Sequence, residues 1–218
     1  ANFFRTLCYN NPDYRAYHFG MLKEICAYDV DGLFFDCMCV EPCYCYHCQK
    51  KMIARGIDPN DAAANIKFQE ESMIEFAQES RRIIGKGKYL YLNGMHYVKV
   101  QNMDTHIEIE CLPSGWGYDF FWPAVSYARN VQDKVLYMTG RFQKSWADFG
   151  GFKTKESLEY DYFDALSAGV GVSVGDHMHP AKNLEPDVYR VVGELNEMIM
   201  AYEPYTDKAR FIADIGVL

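Results

Sequence analysis

Short apolar runs alternate with segments of helical periodicity along this chain, and this alternation constrains the fold more than any other feature. Five runs predict buried strands, at 31–36, 88–94, 106–112, 134–140 and 170–176. Helical periodicity predicts helices at 14–28, 62–84, 119–130, 157–169 and 186–203, and Pro186 suits the first turn of the last one. Strands separated by helices imply right-handed parallel crossovers and therefore an α/β fold.

Polar residues close the predicted strands. They are Asp36, Asn93, Glu110, Arg141 and Asp176. In a (β/α)8 barrel the carboxyl ends of the strands form the active-site face. A doubly wound open sheet also binds its ligand there, but it usually carries a glycine-rich phosphate turn, which this sequence lacks. The pattern therefore favours a TIM-type barrel.

The number of predicted strands is too small for a complete barrel. A possible sixth strand at 3–8 would precede the other five, whereas a full barrel takes roughly 250 residues. We therefore expect residues 1–208 to be the C-terminal part of a barrel, about the last five or six strand–helix units. The apolar stretch 209–218 is typical of the first strand of a further domain.

Charge and hydropathy exclude two classes of partner. The formal net charge is −8 and the isoelectric point is near 5.2, which disfavours nucleic acid because phosphate binding needs a basic face. No apolar run approaches the roughly 18 residues of a membrane span. Five of the eight cysteines crowd into one loop, which suits a metal better than disulfides and indicates a reducing, cytoplasmic compartment.

The cysteine loop contains the spacing Cys43-x-Cys45-x-x-Cys48. Three thiolates so spaced can converge on one ion, and a structural zinc site takes four ligands. His47, Cys37, Cys39 or a distant residue could supply the fourth ligand. Cys8 is one such residue, since it would lie at the end of the neighbouring strand. The alternative is a set of free, half-buried thiols.

The segments "LCYNNPDYR" and "CYCYHC" together resemble the zinc motif of glycoside hydrolase family 42, which are (β/α)8 β-galactosidases. The resemblance implies a structural zinc held by Cys8, Cys43, Cys45 and Cys48. It also implies that 209–218 begins a flavodoxin-like, trimerisation-type domain, and hence a homo-oligomer such as a trimer. The strand "VLYMTGRF" departs from that family, because it carries no carboxylate where the family has its nucleophile.

Four other stretches are together similar to the fucosidase-related barrels of family 151: "YDVDGLFFD", "THIEIECLPSGWGYD", "MTGRFQKSWADFGGFKT" and "GVSVGDHMHP". The first also resembles the "YxxDxxWFD" strand of the family 29 α-L-fucosidases, which ends in their nucleophile. This resemblance implies a retaining exo-glycosidase that acts on an oligosaccharide or glycoside. It also implies that Asp36, which ends its strand as the family 29 nucleophile does, is the nucleophile.

Glycosidases need a second carboxyl group to protonate the leaving oxygen. Glu108 and Glu110 share one face of their strand, and charged groups on a buried strand are costly unless they are paired or functional. We choose Glu110 because it lies nearer the carboxyl end. Glu108, Glu41 and Asp176 remain alternatives. Asp36 could instead brace a loop, and Glu110 could form a salt bridge with Arg5 or Arg141.

Sugar binding calls for aromatic platforms and polar side chains. The long segment 141–156 supplies Arg141 and Trp146, and long strand-to-helix loops are often functional. Further candidates are Glu108, Trp116, Asp176, His177 and His179. Either tryptophan could instead plug a loop against the barrel.

Three functions are compatible with these residues. A fucosidase-like retaining glycosidase explains Asp36 and the strand glutamates. A family 42 β-galactosidase is the second reading, and a non-catalytic carbohydrate-binding barrel is the third.

Overall fold

The computed structural model of the protein describes residues 6–181, 183–206 and 209–216. In chain order its elements are α1 (Pro12–Cys26), β1 (Gly32–Phe35), α2 (Tyr46–Ala54), α3 (Ala62–Ile84), β2 (Tyr89–Leu92), α4 (Tyr97–Val100), β3 (Ile107–Glu110), α5 (Pro113–Trp116), α6 (Phe121–Ala128), β4 (Val135–Gly140), α7 (Lys155–Ser167), β5 (Gly171–Gly175), α8 (Pro186–Met200) and α9 (Glu203–Thr206). The chain divides into two compact units, Ala1–Thr105 and His106–Leu218.

The first unit is built on the parallel pair β1–β2, in which Gly32 is aligned with Tyr89 and Phe35 with Leu92. One face of this pair is covered by α1 and α3. The core on that face contains side chains from both strands and both helices: Leu33, Phe35, Leu90, Leu92, Phe19, Met73 and Phe76. Since side chains alternate along a strand, Gly32, Phe34 and Asp36 belong to the opposite face.

Local signals explain the two long helices of this unit. Asn11 caps α1, and its Oδ1 accepts from Asp13 N at 2.9 Å. Asp61 caps α3 in the same way through Ala63 N at 3.0 Å. Such caps satisfy backbone donors that the first turn leaves unpaired. The predicted bounds of α3, 62–84, are confirmed.

The second unit contains a parallel sheet of order β3-β4-β5. Ile109, Tyr137 and Val172 are aligned across it. Val172 and Val174 pack against a helical core of Leu158, Tyr162, Val191 and Leu195. The other face of the sheet therefore carries the alternate residues, which include Glu108, Glu110, Leu136 and Met138.

The α/β prediction with parallel strands is confirmed, and each of the five strands lies inside its predicted run. α2 was not predicted; it begins directly after Cys45, inside the cysteine loop. Part of the proposed strand at 3–8 lies outside the described residues, and 6–8 form no strand. Residues 209–216 form no regular element. Closure into a (β/α)8 barrel stays a prediction.

Among the described residues, no helix combines the length and the apolar character needed to cross a membrane.

Candidate functional site

Asp36 lies directly after β1 and is exposed. Its Oδ1 accepts two hydrogen bonds, from Cys37 N and from Asn93 Nδ2, each at 2.9 Å. Asn93 follows β2, and the parallel register brings it beside Asp36 because Phe35 is aligned with Leu92. Two donors therefore fix one carboxylate oxygen at the carboxyl ends of the strands.

The backbone around Asp36 is unusual. Cys37 has φ 55°, in the left-handed region that non-glycine residues rarely adopt. Met38 N then donates to Asn93 O at 2.8 Å. Gly94 has φ 96°, and a Cβ there would lie 3.1 Å from Met38 O, so this close approach of two turns favours glycine. Such strain is frequent at functional sites.

The two β3 glutamates differ in their surroundings. Glu108 is 8% exposed, and its Oε1 lies 3.0 Å from His106 Nε2. Glu110 is half-buried, ends the strand, and accepts a hydrogen bond from Trp146 Nε1. Glu108 is thus paired deeper in the sheet, whereas Glu110 lies at its carboxyl end.

The loop after β4 is closed at its base. Arg141 N donates to Gly175 O at 2.9 Å, and Lys153 N donates to Arg141 O at 2.8 Å. The buried Lys153 ammonium donates to Thr139 Oγ1 at 2.8 Å and to Asp161 Oδ2 at 2.7 Å. These contacts fix both ends of the segment that carries Trp146.

Arg141 and Asp176 form a buried ion pair. Arg141 Nε lies 2.9 Å from Asp176 Oδ1, and the side chains are 4% and 12% exposed. The same oxygen accepts from His177 N at 2.7 Å. This pair joins the residue that follows β4 to the residue that follows β5.

The remaining predicted sugar contacts differ in exposure. The His177 ring lies between Phe142 and Phe149, with centroids at 4.6 Å from each. His179 is exposed, and its Nδ1 accepts from Ala181 N at 3.1 Å. Trp116 in α5 is 47% exposed.

The four predicted metal ligands are brought together within the first unit. The sulfurs of Cys8, Cys43, Cys45 and Cys48 all lie within 4.8 Å of one another, and Cys8 Sγ is 3.4 Å from both Cys45 Sγ and Cys48 Sγ. All four are free thiols. A tetrahedral zinc site with Zn–S near 2.3 Å requires sulfurs about 3.8 Å apart. The group could therefore hold a metal ion.

The acidity of these thiols is set by burial and by their neighbours. Burial raises the pKa of Cys8 well above its ordinary value and that of Cys43 to about 11. Burial also acts on Cys45, but a hydrogen bond from Cys48 N and contacts with the other thiols hold its pKa below the ordinary value. A bound cation would replace the thiol protons and remove this penalty.

Asn10 connects the cysteine cluster to a lysine. Asn10 Nδ2 lies 3.4 Å from Cys48 Sγ, and Asn10 N lies 3.3 Å from Cys8 Sγ. Lys51 Nζ donates to Asn10 Oδ1 at 2.8 Å. Amide donors and a nearby ammonium favour thiolate sulfurs, as in the outer shell of metal sites.

Comparison with known proteins gives one informative match. No protein-family model matches the chain, and no curated protein matches it. A solved structure does. It is alpha-L-fucosidase isoenzyme 2 from Paenibacillus thiaminolyticus, with 30% identity and a TM-score of 0.90. The alignment covers 98% of this chain and 34% of that one, so the chain spans about a third of the fucosidase's length.

Three residues at these sites were missed as site residues. Asn93 was noted only as a strand end, and the parallel alignment of β1 with β2 is the signal that would have paired it with Asp36. Asn10 lies two residues after Cys8, and Lys51 lies three after Cys48. Nothing in the sequence shows that these two side chains meet.

Proposed function

We propose that this chain is part of a retaining, α-L-fucosidase-like exo-glycoside hydrolase. The observation that carries the proposal is the 30% identity and TM-score of 0.90 to an alpha-L-fucosidase along 98% of the chain. The fucosidase-like stretches found in the sequence include the strand that ends at Asp36 and the strand that ends at Glu110.

Asp36 is the proposed nucleophile. Its exposure suits attack on a sugar, and the donors Cys37 N and Asn93 Nδ2 both bind Oδ1, which orients the carboxylate. The carboxylate forms a bond to the anomeric carbon while the glycosidic C–O bond breaks. This step leaves a glycosyl-enzyme ester on Asp36.

Glu110 is the proposed acid/base. It gives its proton to the departing oxygen in the first step, then takes a proton from the water that attacks the anomeric carbon and releases Asp36. We prefer Glu110 to Glu108 because Glu108 is buried beside His106.

Sugar contacts are proposed for Trp116 in α5 and for His177 and His179 after β5. Arg141 is too deeply buried for direct contact, so we assign it to hold Asp176. The (β/α)8 barrel remains a proposal that rests on the polar residues at the strand ends. The following flavodoxin-like domain and a homo-oligomer remain proposals that rest on the family 42 resemblance.

The cysteine cluster is proposed to hold a structural zinc ion. Four thiolate ligands would complete the tetrahedral shell of a zinc ion and leave no position open for substrate. The loop Cys43–Cys48 follows Asp36 in the chain. The ion would fix this loop to the residues around Cys8.

The deciding experiment is a hydrolysis screen of the full-length protein against 4-nitrophenyl glycosides. Turnover of the α-L-fucoside above all others is the expected result. Preference for the β-D-galactoside would favour the family 42 reading. A protein that binds sugars but hydrolyses none of the panel would contradict the proposal.

A further inference from the structure

The indole of Trp146 rests against the ends of two strands. Gly140 ends β4 and Gly175 ends β5. A Cβ on Gly175 would lie 2.3 Å from Trp146 Cζ3, and one on Gly140 would lie 2.9 Å from the same atom. Cβ atoms do not approach other carbons so closely, so the indole can occupy this position only because both residues are glycine.

The same indole contacts the end of the third strand. Trp146 Nε1 donates to Glu110 Oε1, and Glu110 is the last residue of β3. One side chain therefore spans the carboxyl ends of β3, β4 and β5. The Phe142 ring meets the indole edge-on, with centroids 5.7 Å apart.

Hydrogen bonds inside the loop also hold Trp146 in place, in addition to those that close the two ends of the loop. Ser114 Oγ donates to Lys144 O at 2.9 Å, and Lys144 N donates to Asp148 Oδ2 at 3.1 Å. Ala147, directly after the tryptophan, has φ 67°. A non-glycine residue keeps that conformation only where its surroundings enforce it. The indole is therefore preorganised.

We propose that Trp146 is a positioning residue that orients the Glu110 carboxyl group for proton transfer. Gly140 and Gly175 leave the space that its indole occupies. This inference rests on the proposed glycosidase function. It differs from a sugar-stacking platform, because the N–H of the indole is directed to Glu110 and its six-membered ring to the glycines.

Kinetics of two variants test the role. Trp146→Phe keeps an aromatic ring but loses the N–H, and Gly175→Ala keeps the indole but displaces it. With a series of aryl α-L-fucosides, we expect kcat for poor leaving groups to fall about 10- to 100-fold, because misplacing a catalytic group costs up to that much. In kcat/KM, which reports the first step, substrates with activated leaving groups need little acid assistance and should change far less.

Trp122→Phe and Gly193→Ala are the matched controls, since a Cβ on Gly193 meets nothing within 4 Å. A rise in KM at constant kcat, or an equal loss for all leaving groups, would overturn the inference in favour of a platform or a purely structural role.

A fluorescence measurement separates this inference from the proposed function. The chain has three tryptophans, so in the background Trp116→Phe/Trp122→Phe the emission of Trp146 is taken as the difference between the spectra with and without Trp146→Phe. Glu110→Gln and Gly175→Ala should each shift its emission, and an unchanged spectrum in both would overturn the contact whatever the activity. If the emission shifts but the wild-type protein hydrolyses no glycoside, the contact between Trp146 and Glu110 stands. The proposed function is then refuted, and the catalytic role of the contact with it.

Discussion

Asn93 donates its side-chain amide to Asp36 Oδ1 at 2.9 Å, across the carboxyl ends of two adjacent parallel strands. The register sets this contact, since each residue directly follows one member of the aligned pair Phe35 and Leu92. The two donated hydrogen bonds, from Asn93 Nδ2 and Cys37 N, hold this carboxylate in one orientation.

Asp36→Ala should lower kcat by several orders of magnitude, because it removes the atom that bonds to the sugar. Added azide should restore part of the turnover and give a glycosyl azide of inverted anomeric configuration, which NMR of the product identifies. Asn93→Ala should cost about 10-fold, the usual effect of one hydrogen bond to a charged group. Asp31→Asn, at the amino end of the same strand, is the control. Near-normal rates for Asp36→Ala would rule out this nucleophile.

Removing one ligand of the cysteine cluster should weaken stability more than catalysis. Elemental analysis of protein purified without added metal should give about one zinc per chain, and Cys45→Ser should lower the free energy of unfolding by about 2–5 kcal/mol. Thermal denaturation with and without a chelator measures the effect. Cys39→Ser, an exposed cysteine of the same segment, should change neither value. Zinc-free wild-type protein that is as stable as the zinc-loaded form would contradict the assignment.

Asp104 makes stability depend on pH. Burial raises its pKa to about 7, and a backbone hydrogen bond from Leu92 and the charge of Arg81 offset this only in part. Between about pH 4 and 7 the folded protein therefore binds a proton that the unfolded chain has lost, so stability falls as pH rises, by at most about 1.4 kcal/mol per pH unit.

Asp104→Asn should accordingly stabilise the protein most at pH 8 and least near pH 4. Urea denaturation at the two pH values measures the difference. The exposed Asp29→Asn serves as the control. Equal effects of Asp104→Asn at both pH values would show that the carboxyl group does not titrate in this range.

Lys153→Met should destabilise the protein strongly, by about 3–5 kcal/mol, because it leaves the Asp161 carboxylate buried without its cation. The double variant Lys153→Met/Asp161→Leu should recover much of the loss, since an apolar pair carries no desolvation penalty. Lys155→Met, which breaks the exposed pair with Glu194, should have little effect. Denaturation of the wild type, Lys153→Met, Asp161→Leu and the double variant tests the coupling, and strictly additive losses would contradict it.

Much of the fold can be predicted from the periodicity of the apolar residues and from the polar residues that follow the strands. The five strands, the parallel crossovers and α3 follow from the spacing of apolar residues, which depends only on local geometry. Cys8 was linked to the other three cysteines through a resemblance, and the folded chain brings the four sulfurs together. The segment 46–54 was not recognised as a helix because only Cys48 and Met52 are buried in it, which is too short a stripe to show periodicity.

Contacts between residues distant in sequence were decided by the tertiary structure alone. Trp146 and Glu110 are 36 positions apart, and their hydrogen bond depends on a loop closed by Lys153 and on the space above two glycines. Asn10 reaches Cys48 and Lys51 only because the residues after Cys8 pack against α2. The sequence determined which side chains follow each strand, because alternation and chain order are local properties. Which of those side chains touch was decided by register, loop closure and packing, which are properties of the folded chain.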